Sequence, residues 1–280
     1  MMNKEEIESI LKNSTMRLFQ VDSFTSVPFK GNPAGVCILD KFLDASSMQS
    51  IAMEMNLSET AFVVINENEY MIRYFTPTQE VPLCGHATLA SAHILYELGL
   101  VPKDKEFVFK AQESDLAISR EANWIKMNFP IYKLSKANLS LKFNEIIGIN
   151  PIEIYKSENN WIVAMVGTER EVVEACPDFE GIRRENLGVL IAVTSISDSS
   201  EYDFVVRVFC NPISGITEDP VTGAANCILV PFWNQKLNKT RFRSKQLSKR
   251  TGELLLELKD HRVDILGQAK TVFKIEMDDK

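Results

Sequence analysis

The alternation of hydrophobic and polar positions predicts a chain built mainly of short β-strands. Runs of β-branched and aromatic residues recur between Gly, Pro and Asn, as is typical of strands. Apolar residues at helical spacing predict a surface helix over 46–56, and another is expected to end near Asn13. Strands are predicted at 16–24, 34–39, 60–65, 70–75, in three short runs within 105–129, and at 161–167, 189–195, 202–210, 246–252, 253–259, 262–267 and 271–277.

Two stretches break this pattern because they carry no charge over more than a dozen residues. One lies between Glu80 and Glu97, the other between Asp219 and Lys236, and each follows predicted strands. A helix that is apolar on every side must be buried on every side. We therefore expect two domains, each a curved, β-barrel-like sheet around a central buried helix. Two ordinary core helices in a layered sheet are the alternative that periodicity leaves open.

The order of elements is similar in the two halves, which indicates an approximate internal duplication and an α+β fold. The polar segment after Pro130 is expected to be the crossover. The predicted domains are 1–130 and 131–267, and a final strand at 268–280 is expected to return to the first domain.

The composition of the chain excludes several classes of partner and cellular location. A net charge of −7 without a long Lys/Arg block makes nucleic acid and anionic membranes poor partners. No run of about 18 apolar residues suggests a transmembrane helix, and the N-terminus lacks the apolar core of a signal peptide. Five scattered cysteines without a C-x-x-C pair indicate reduced thiols and a cytoplasmic protein. The three histidines show no metal-binding spacing, so no metal is expected.

Small residues open both charge-free helices, at Gly85-His86-Ala87-Thr88 and at Thr222-Gly223-Ala224-Ala225. The first N–H groups of a helix have no intrahelical partner, and the helix dipole adds a partial positive charge there. Glycine also lets a ligand approach the backbone. Two such starts facing one cleft would make a site for a carboxylate. For either start alone, a plain helix cap is an equally good explanation, and it is the pairing that favours the anion site.

Three ionisable residues near these starts are candidates for proton transfer: Glu59, His86 and Asp219. A carboxylate at the dry end of a strand acquires the raised pKa that a general base or acid needs. The simpler interpretations are a surface cap region for Glu59 and a helix-capping role for His86. His93 lies inside the same predicted helix, where a core role is expected.

Five segments in order resemble the PhzF-like phenazine-biosynthesis isomerase family. They are QVDSFTSVPFKGNPAGVCIL (20–39), MQSIAMEMNLSETAFV (48–63), RYFTPTQEVPLCGHATLASAH (73–93), GITEDPVTGAANCILVPFW (215–233) and QLSKRTGELLLE (246–257). The resemblance implies the diaminopimelate-epimerase-like fold with the active site between two domains. It also implies a cofactor-free isomerase, usually a homodimer, acting on a small carboxylate-bearing substrate.

The same resemblance implies roles for individual residues. The glutamate of S-E-T-A-F, here Glu59, is the acid/base. Gly85, His86 and Asp219 line the substrate pocket. Backbone amides around Gly85, Gly223 and Ala224 hold the substrate carboxylate, and Asn32 of G-N-P lies near the pocket.

The chain departs from the family's pattern at three positions. Ala224 stands where a serine is common, so a hydroxyl is lost while the backbone N–H remains. Asn226 replaces a frequent histidine, and Thr251 occupies the middle of a motif that usually reads R-G-G. These changes leave the substrate open, and phenazine biosynthesis itself is not assigned.

Two alternatives of other classes stay open. A two-thiol epimerase or racemase needs one cysteine at each helix start. Cys84 occupies the first position, but the second start has none, and Cys227 lies about one turn inside its helix. The other alternative is a non-catalytic protein that retains the fold and binds a small ligand.

Overall fold

The computed structural model describes residues 17–67, 69–112, 114–138, 141–211 and 217–276. The helix expected to end near Asn13 lies outside these residues. The helices are α1 (Ala45–Met55), α2 (Gly85–Glu97), α3 (Leu141–Ile147), α4 (Glu169–Glu174), α5 (Phe179–Arg184) and α6 (Asn226–Leu237). The strands are β1 (Arg17–Ser23), β2 (Asn32–Leu39), β3 (Glu59–Asn66), β4 (Glu69–Phe75), β5 (Glu80–Val81), β6 (Phe107–Lys110), β7 (Asp115–Glu121), β8 (Trp124–Pro130), β9 (Leu134–Lys136), β10 (Glu153–Ser157), β11 (Trp161–Met165), β12 (Leu190–Ile196), β13 (Phe204–Cys210), β14 (Glu218–Asp219), β15 (Arg241–Gln246), β16 (Gly252–Lys259), β17 (Arg262–Gly267) and β18 (Ala269–Glu276).

These residues divide into two compact units. Unit 1 runs up to Asn128 and resumes at Leu266, and unit 2 is Phe129–Ile265. In unit 1 the strand order is β18-β1-β2-β3-β4-β6-β7-β8. The β2/β3 and β4/β6 pairs are parallel and the others are antiparallel, while the short β5 pairs with β4.

Unit 2 repeats this topology. Its strand order is β9-β10-β11-β12-β13-β15-β16, with β11/β12 and β13/β15 parallel and the short β14 paired with β13. In each unit a long strand, a two-residue strand and the buried helix follow one another. The internal duplication is therefore present in strand pairing as well as in element order.

A bidentate ion pair marks the same position in both units. Arg73 of β4 donates from Nε and a terminal nitrogen to Glu80 of β5, both at 2.7 Å. Arg207 of β13 donates in the same way to Glu218 of β14, at 2.7 and 3.0 Å. These forks tie each two-residue strand to its partner just before the chain enters the buried helix.

The helix α2 is buried over nearly its whole length and packs against β1, β2, β3 and β18. Leu89, Ala90, Ile94 and Leu95 are all fully buried, which explains why the sequence carries no charge before Glu97. In unit 2, α6 packs through its buried Trp233, whose ring stacks on that of Phe204 in β13 with the ring centroids 5.5 Å apart. The predicted α+β class with a buried helix in each half is confirmed.

Several local predictions were wrong. The strand expected at 246–252 ends at Gln246, because the next residues form a turn in which the Thr251 N–H donates to the Ser248 carbonyl. The short helices α3, α4 and α5 were missed, since six or seven residues complete too few turns to show a clear helical period. Among the described residues no helix has the length and apolarity needed to traverse a bilayer.

Candidate active site

Glu59 is placed by the end of α1 and the start of β3. Helix α1 ends at Asn56, a left-handed residue (φ 48°) whose N–H donates to the Ala52 carbonyl. The chain then enters β3 at Glu59, which pairs with Ala34 of the parallel strand β2. The Glu59 side chain is 16% exposed, so its carboxylate lies at the accessible end of an otherwise buried strand.

The start of α2 is fixed by buried hydroxyl groups. Cys84 is the extended N-cap residue and its side chain makes no capping bond. The Thr88 hydroxyl donates to the Cys84 carbonyl at 2.6 Å and also contacts the Tyr74 hydroxyl at 2.6 Å. The first turn of the helix, with Gly85 and His86, is thereby held in one position.

His86 bridges the two elements. Its carbonyl accepts a hydrogen bond from the Ser23 hydroxyl at 2.7 Å. Its Nε2 lies 3.2 Å from Oε2 of Glu59, and its Nδ1 lies 3.4 Å from Sγ of Cys84. The Nε2 contact is within ion-pair range but is not aligned as a hydrogen bond, since this buried nitrogen has no hydrogen-bond partner.

Burial determines the charge of this histidine. His86 is 6% exposed, and burial lowers the pKa of its imidazole to about 3. The ring is therefore neutral near pH 7 and carries one N–H and one lone pair. Because the ring is uncharged, its contact with the Glu59 carboxylate is not a salt bridge.

These three side chains combine the functional groups for two kinds of chemistry. A carboxylate beside a neutral imidazole is suited to moving a proton. In addition, one ligand atom each from Glu59, Cys84 and His86 lie within 4.8 Å of one another, a donor set that could hold a metal ion.

Asn32 lies close to the same helix start through the β1–β2 pairing. It is fully buried as the first residue of β2 and pairs with Ser23, the residue that bonds to the His86 carbonyl. Asn32, Glu59, Gly85 and His86 therefore belong to one region of unit 1.

Asp219 belongs to a hydrogen-bonded loop of unit 2. Its carboxylate accepts from the Thr222 hydroxyl at 2.5 Å. The Gln246 side chain accepts from the Thr222 N–H at 2.8 Å and donates to the Asp219 carbonyl at 2.7 Å. One amide thus joins both ends of the segment between Asp219 and Thr222.

The second helix begins later than predicted. Thr222, Gly223 and Ala224 precede α6, which starts at Asn226. The N–H groups of Asn226, Cys227 and Ile228 donate to carbonyls three residues back, so a tight 3₁₀-type turn occupies the expected first turn. Gly223 and Ala224 are therefore turn residues ahead of the helix.

Cys227 lies in the first turn of α6, 2% exposed, and burial raises its pKa to about 12. A thiol in this state is a poor base and nucleophile near neutral pH. Cys227 is therefore a core residue of unit 2.

Two contacts escaped the sequence analysis. One is the contact between the sulfur of buried Cys84 and the ring of His86. The other involves Gln246, for which no role was predicted although its side chain holds the Asp219 loop from a distant strand. The C-G-H spacing could have indicated the first contact, but no local pattern marks the second.

His93 is not a core residue, contrary to the prediction. Its side chain is 22% exposed and its Nε2 lies 3.0 Å from Oε2 of Glu97 and 3.1 Å from the Thr271 hydroxyl. A polar neighbour on β18 explains why a histidine occupies this side of α2. Nothing in these contacts connects His93 to Glu59.

Comparisons with known proteins agree with this architecture. The family model described as phenazine biosynthesis-like protein (PhzC-PhzF) matches residues 21–275. An uncharacterized isomerase of Halalkalibacterium halodurans is 42% identical over 94% of this chain and 98% of its own. A crystal structure of a PhzF-family phenazine biosynthesis protein from Enterococcus faecalis superposes with a TM-score of 0.89 at 37% identity, covering 94% of this chain and 99% of that one.

The fold extends to more distant proteins. A predicted epimerase from Pseudomonas aeruginosa has a TM-score of 0.76 at 18% identity, over 94% of this chain and 99% of its own, a likeness that shows the fold alone. The family match spans nearly all of the chain, and the relatives match along nearly their full length. The chain therefore belongs to the PhzF-like family of phenazine-biosynthesis isomerases.

Proposed function

We propose that this protein is a cofactor-independent isomerase that moves a proton within a small carboxylate-bearing substrate, with Glu59 as the acid/base. The substrate class is an amino or hydroxy acid, cyclic or unsaturated. The observation that carries the proposal is the placement of the partly exposed Glu59 carboxylate 3.2 Å from the buried imidazole of His86.

The proposed reaction uses one base. The Glu59 carboxylate takes a proton from a C–H bond of the substrate, and the resulting carboxylic acid returns the proton to another carbon. The neutral His86 imidazole polarises the substrate with its N–H and leaves Glu59 basic. A protonated histidine at this distance would instead stabilise the carboxylate as an anion and weaken it as a base.

Substrate binding is assigned to the backbone and to the unit 2 loop. The first N–H groups of α2, beginning at Gly85, have the direction and partial charge that suit a carboxylate. The turn at Gly223 and Ala224 offers further backbone amides, and Asp219 is proposed to polarise the substrate. Asn32 is also proposed to contribute to substrate binding, from its buried position paired with Ser23.

The two-thiol alternative is less well supported. It requires a reactive cysteine at each helix start, and Cys227 is buried inside α6 with its pKa raised to about 12. The binding-protein alternative does not account for a carboxylate placed beside a neutral imidazole. Homodimer formation, cytoplasmic location and the lack of nucleic-acid or membrane partners stay predictions.

The test is product analysis with a panel of small cyclic and unsaturated amino and hydroxy acids, including a dihydro-hydroxyanthranilate and a metabolite extract. Chromatography coupled to mass spectrometry should reveal a new compound of unchanged mass with the wild type. Glu59→Gln, which keeps the shape and removes the basic oxygen, should lower the rate by at least about 100-fold.

The matched control is Glu54→Gln, because Glu54 is an exposed residue of the preceding helix. It should retain the wild-type rate. Equal turnover by wild type and Glu59→Gln would contradict the proposal. A compound that binds both proteins equally and is converted by neither would favour the ligand-binding alternative.

A further inference from the structure

We propose that Glu59, Cys84 and His86 form a binding site for a thiophilic divalent cation, represented by Zn²⁺. The ligand atoms are one carboxylate oxygen of Glu59, Sγ of Cys84 and one imidazole nitrogen of His86. They come from three separate points of unit 1: the first residue of β3, the N-cap of α2 and its second residue.

The spacing of the ligand atoms suits a tetrahedral ion. Zn²⁺ bonds of about 2.0–2.3 Å place ligand atoms roughly 3.3–3.8 Å apart at the tetrahedral angle. Here Nε2 of His86 lies 3.2 Å from the Glu59 oxygen, and all three ligand atoms fall within 4.8 Å of one another. The 4.8 Å limit exceeds the ideal spacing by about 1 Å, a gap that rotation of these side chains has to close when the ion binds.

The types of ligand atom are also appropriate. Sulfur, imidazole nitrogen and carboxylate oxygen are the three protein ligands of zinc, and three of them leave a fourth position for water or another small ligand. Among the groups in the described part of the chain, this is the one that brings three such residues together.

A second observation independently points to a missing ligand at this place. His86 is only 6% exposed, yet its Nε2, which lies 3.2 Å from the Glu59 oxygen inside the cluster, has no aligned hydrogen-bond partner. A buried nitrogen in this state costs free energy that a bound cation would recover. The Ser23 bond to the His86 carbonyl holds the backbone of the helix start that carries this imidazole.

Cation binding has a chemical consequence. Cys84 coordinates as the thiolate, so its proton is released to solvent when the ion binds. The Glu59 oxygen becomes a metal ligand and can no longer accept a proton. Inhibition of turnover by Zn²⁺ follows only if the proposed function is correct, whereas cation binding itself does not depend on it.

The experiment measures binding directly on the full chain. Zn²⁺ affinity is determined by competition with a chromophoric chelator, and Co²⁺ is used as a spectroscopic probe. We expect one ion per chain and a sulfur-to-cobalt charge-transfer band in the near ultraviolet. Cys84→Ser should abolish the band and weaken Zn²⁺ binding by more than the roughly 10–100-fold that loss of a supporting residue costs a metal site.

Two controls separate this site from adventitious binding. Cys176→Ser removes an exposed cysteine and should leave the band and the affinity unchanged. Glu59→Gln should weaken Zn²⁺ while keeping the sulfur band, which guards against a folding defect in the cysteine variant. Absence of stoichiometric binding, or a band that disappears with Cys176→Ser and persists with Cys84→Ser, would overturn the proposal whatever the isomerase assay shows.

Discussion

Oε2 of Glu59 lies 3.2 Å from Nε2 of His86, although one residue begins a strand and the other belongs to the first turn of a helix. The pair brings an accessible carboxylate against an imidazole that burial keeps neutral. The backbone of each residue is fixed by buried contacts. Glu59 is held by the pairing of β3 with β2, and His86 by the hydrogen bond from the Ser23 hydroxyl to its carbonyl.

Burial of His86 predicts a pH-dependent stability. Its pKa is about 3 in the folded chain and about 6.5 when unfolded, so between these values the unfolded state binds the extra proton. The free energy of unfolding therefore falls as the pH falls below about 6.5, by at most roughly 1.4 kcal/mol per pH unit from this group. Urea unfolding of wild type and His86→Gln between pH 4 and 8 measures it. The difference between their stabilities should depend on pH, and two parallel curves would contradict the prediction.

The cysteines should differ sharply in reactivity. Burial raises the pKa of both Cys37 and Cys227 to about 12, whereas Cys176 is exposed. Iodoacetamide at pH 8 should modify Cys176 in the folded chain and leave the other two unmodified, as peptide mass spectrometry can show. The same reagent in denaturant is the control, in which all three should react. Rapid modification of Cys227 in the folded state, prevented by substrate, would revive the two-thiol mechanism.

Thr251 should be a strained residue. Its φ of +57° is left-handed, a conformation that costs a residue with a Cβ about 1–2 kcal/mol. Thr251→Gly relieves this cost but adds about 0.5–1 kcal/mol of unfolded-state entropy, so we expect a net stabilisation of up to about 1.5 kcal/mol. Chemical denaturation measures the change. Thr251→Ala keeps a Cβ and should show no comparable gain, and a less stable glycine variant would show that the threonine side chain contributes more than the strain costs.

Gln246 should be essential to the order of the Asp219 loop. Gln246→Leu removes the acceptor of the buried Thr222 N–H and the donor to the Asp219 carbonyl. Leaving these groups unpaired should cost about 1–3 kcal/mol of unfolding free energy, measurable by thermal and urea denaturation. Gln79→Leu, at an exposed glutamine, is the control and should be nearly neutral. Unchanged stability of Gln246→Leu would mean that water replaces both bonds.

The sequence predicted the parts of the fold that depend on local periodicity. Absence of charge between Glu80 and Glu97 indicated a buried helix, and α2 is buried along that stretch. The contacts of Gln246 with Asp219 and Thr222 join a strand to a distant loop, so no spacing along the chain reveals them. The start of α6 was misplaced because a turn with bonds three residues back was indistinguishable from a first helical turn.

The resemblance to the family, more than periodicity, selected the candidate site. Composition alone favoured a surface cap for Glu59, and only the S-E-T-A-F motif made it the acid/base candidate. The structure adds the 3.2 Å distance from Glu59 to His86, which the resemblance had placed in the substrate pocket, and the proximity of both residues to Cys84. His93 was misassigned because periodicity cannot tell a core position from one that meets a polar neighbour such as Thr271.

The most direct test of proton transfer by Glu59 is deuterium incorporation during turnover. The wild type, Glu59→Gln and Glu59→Asp are incubated in deuterated water with the substrate identified by product analysis, and mass spectrometry follows label in substrate and product. We predict label with the wild type, reduced label with Glu59→Asp and none with Glu59→Gln. Label appearing at the wild-type rate in Glu59→Gln would show that another group moves the proton and would contradict the central claim.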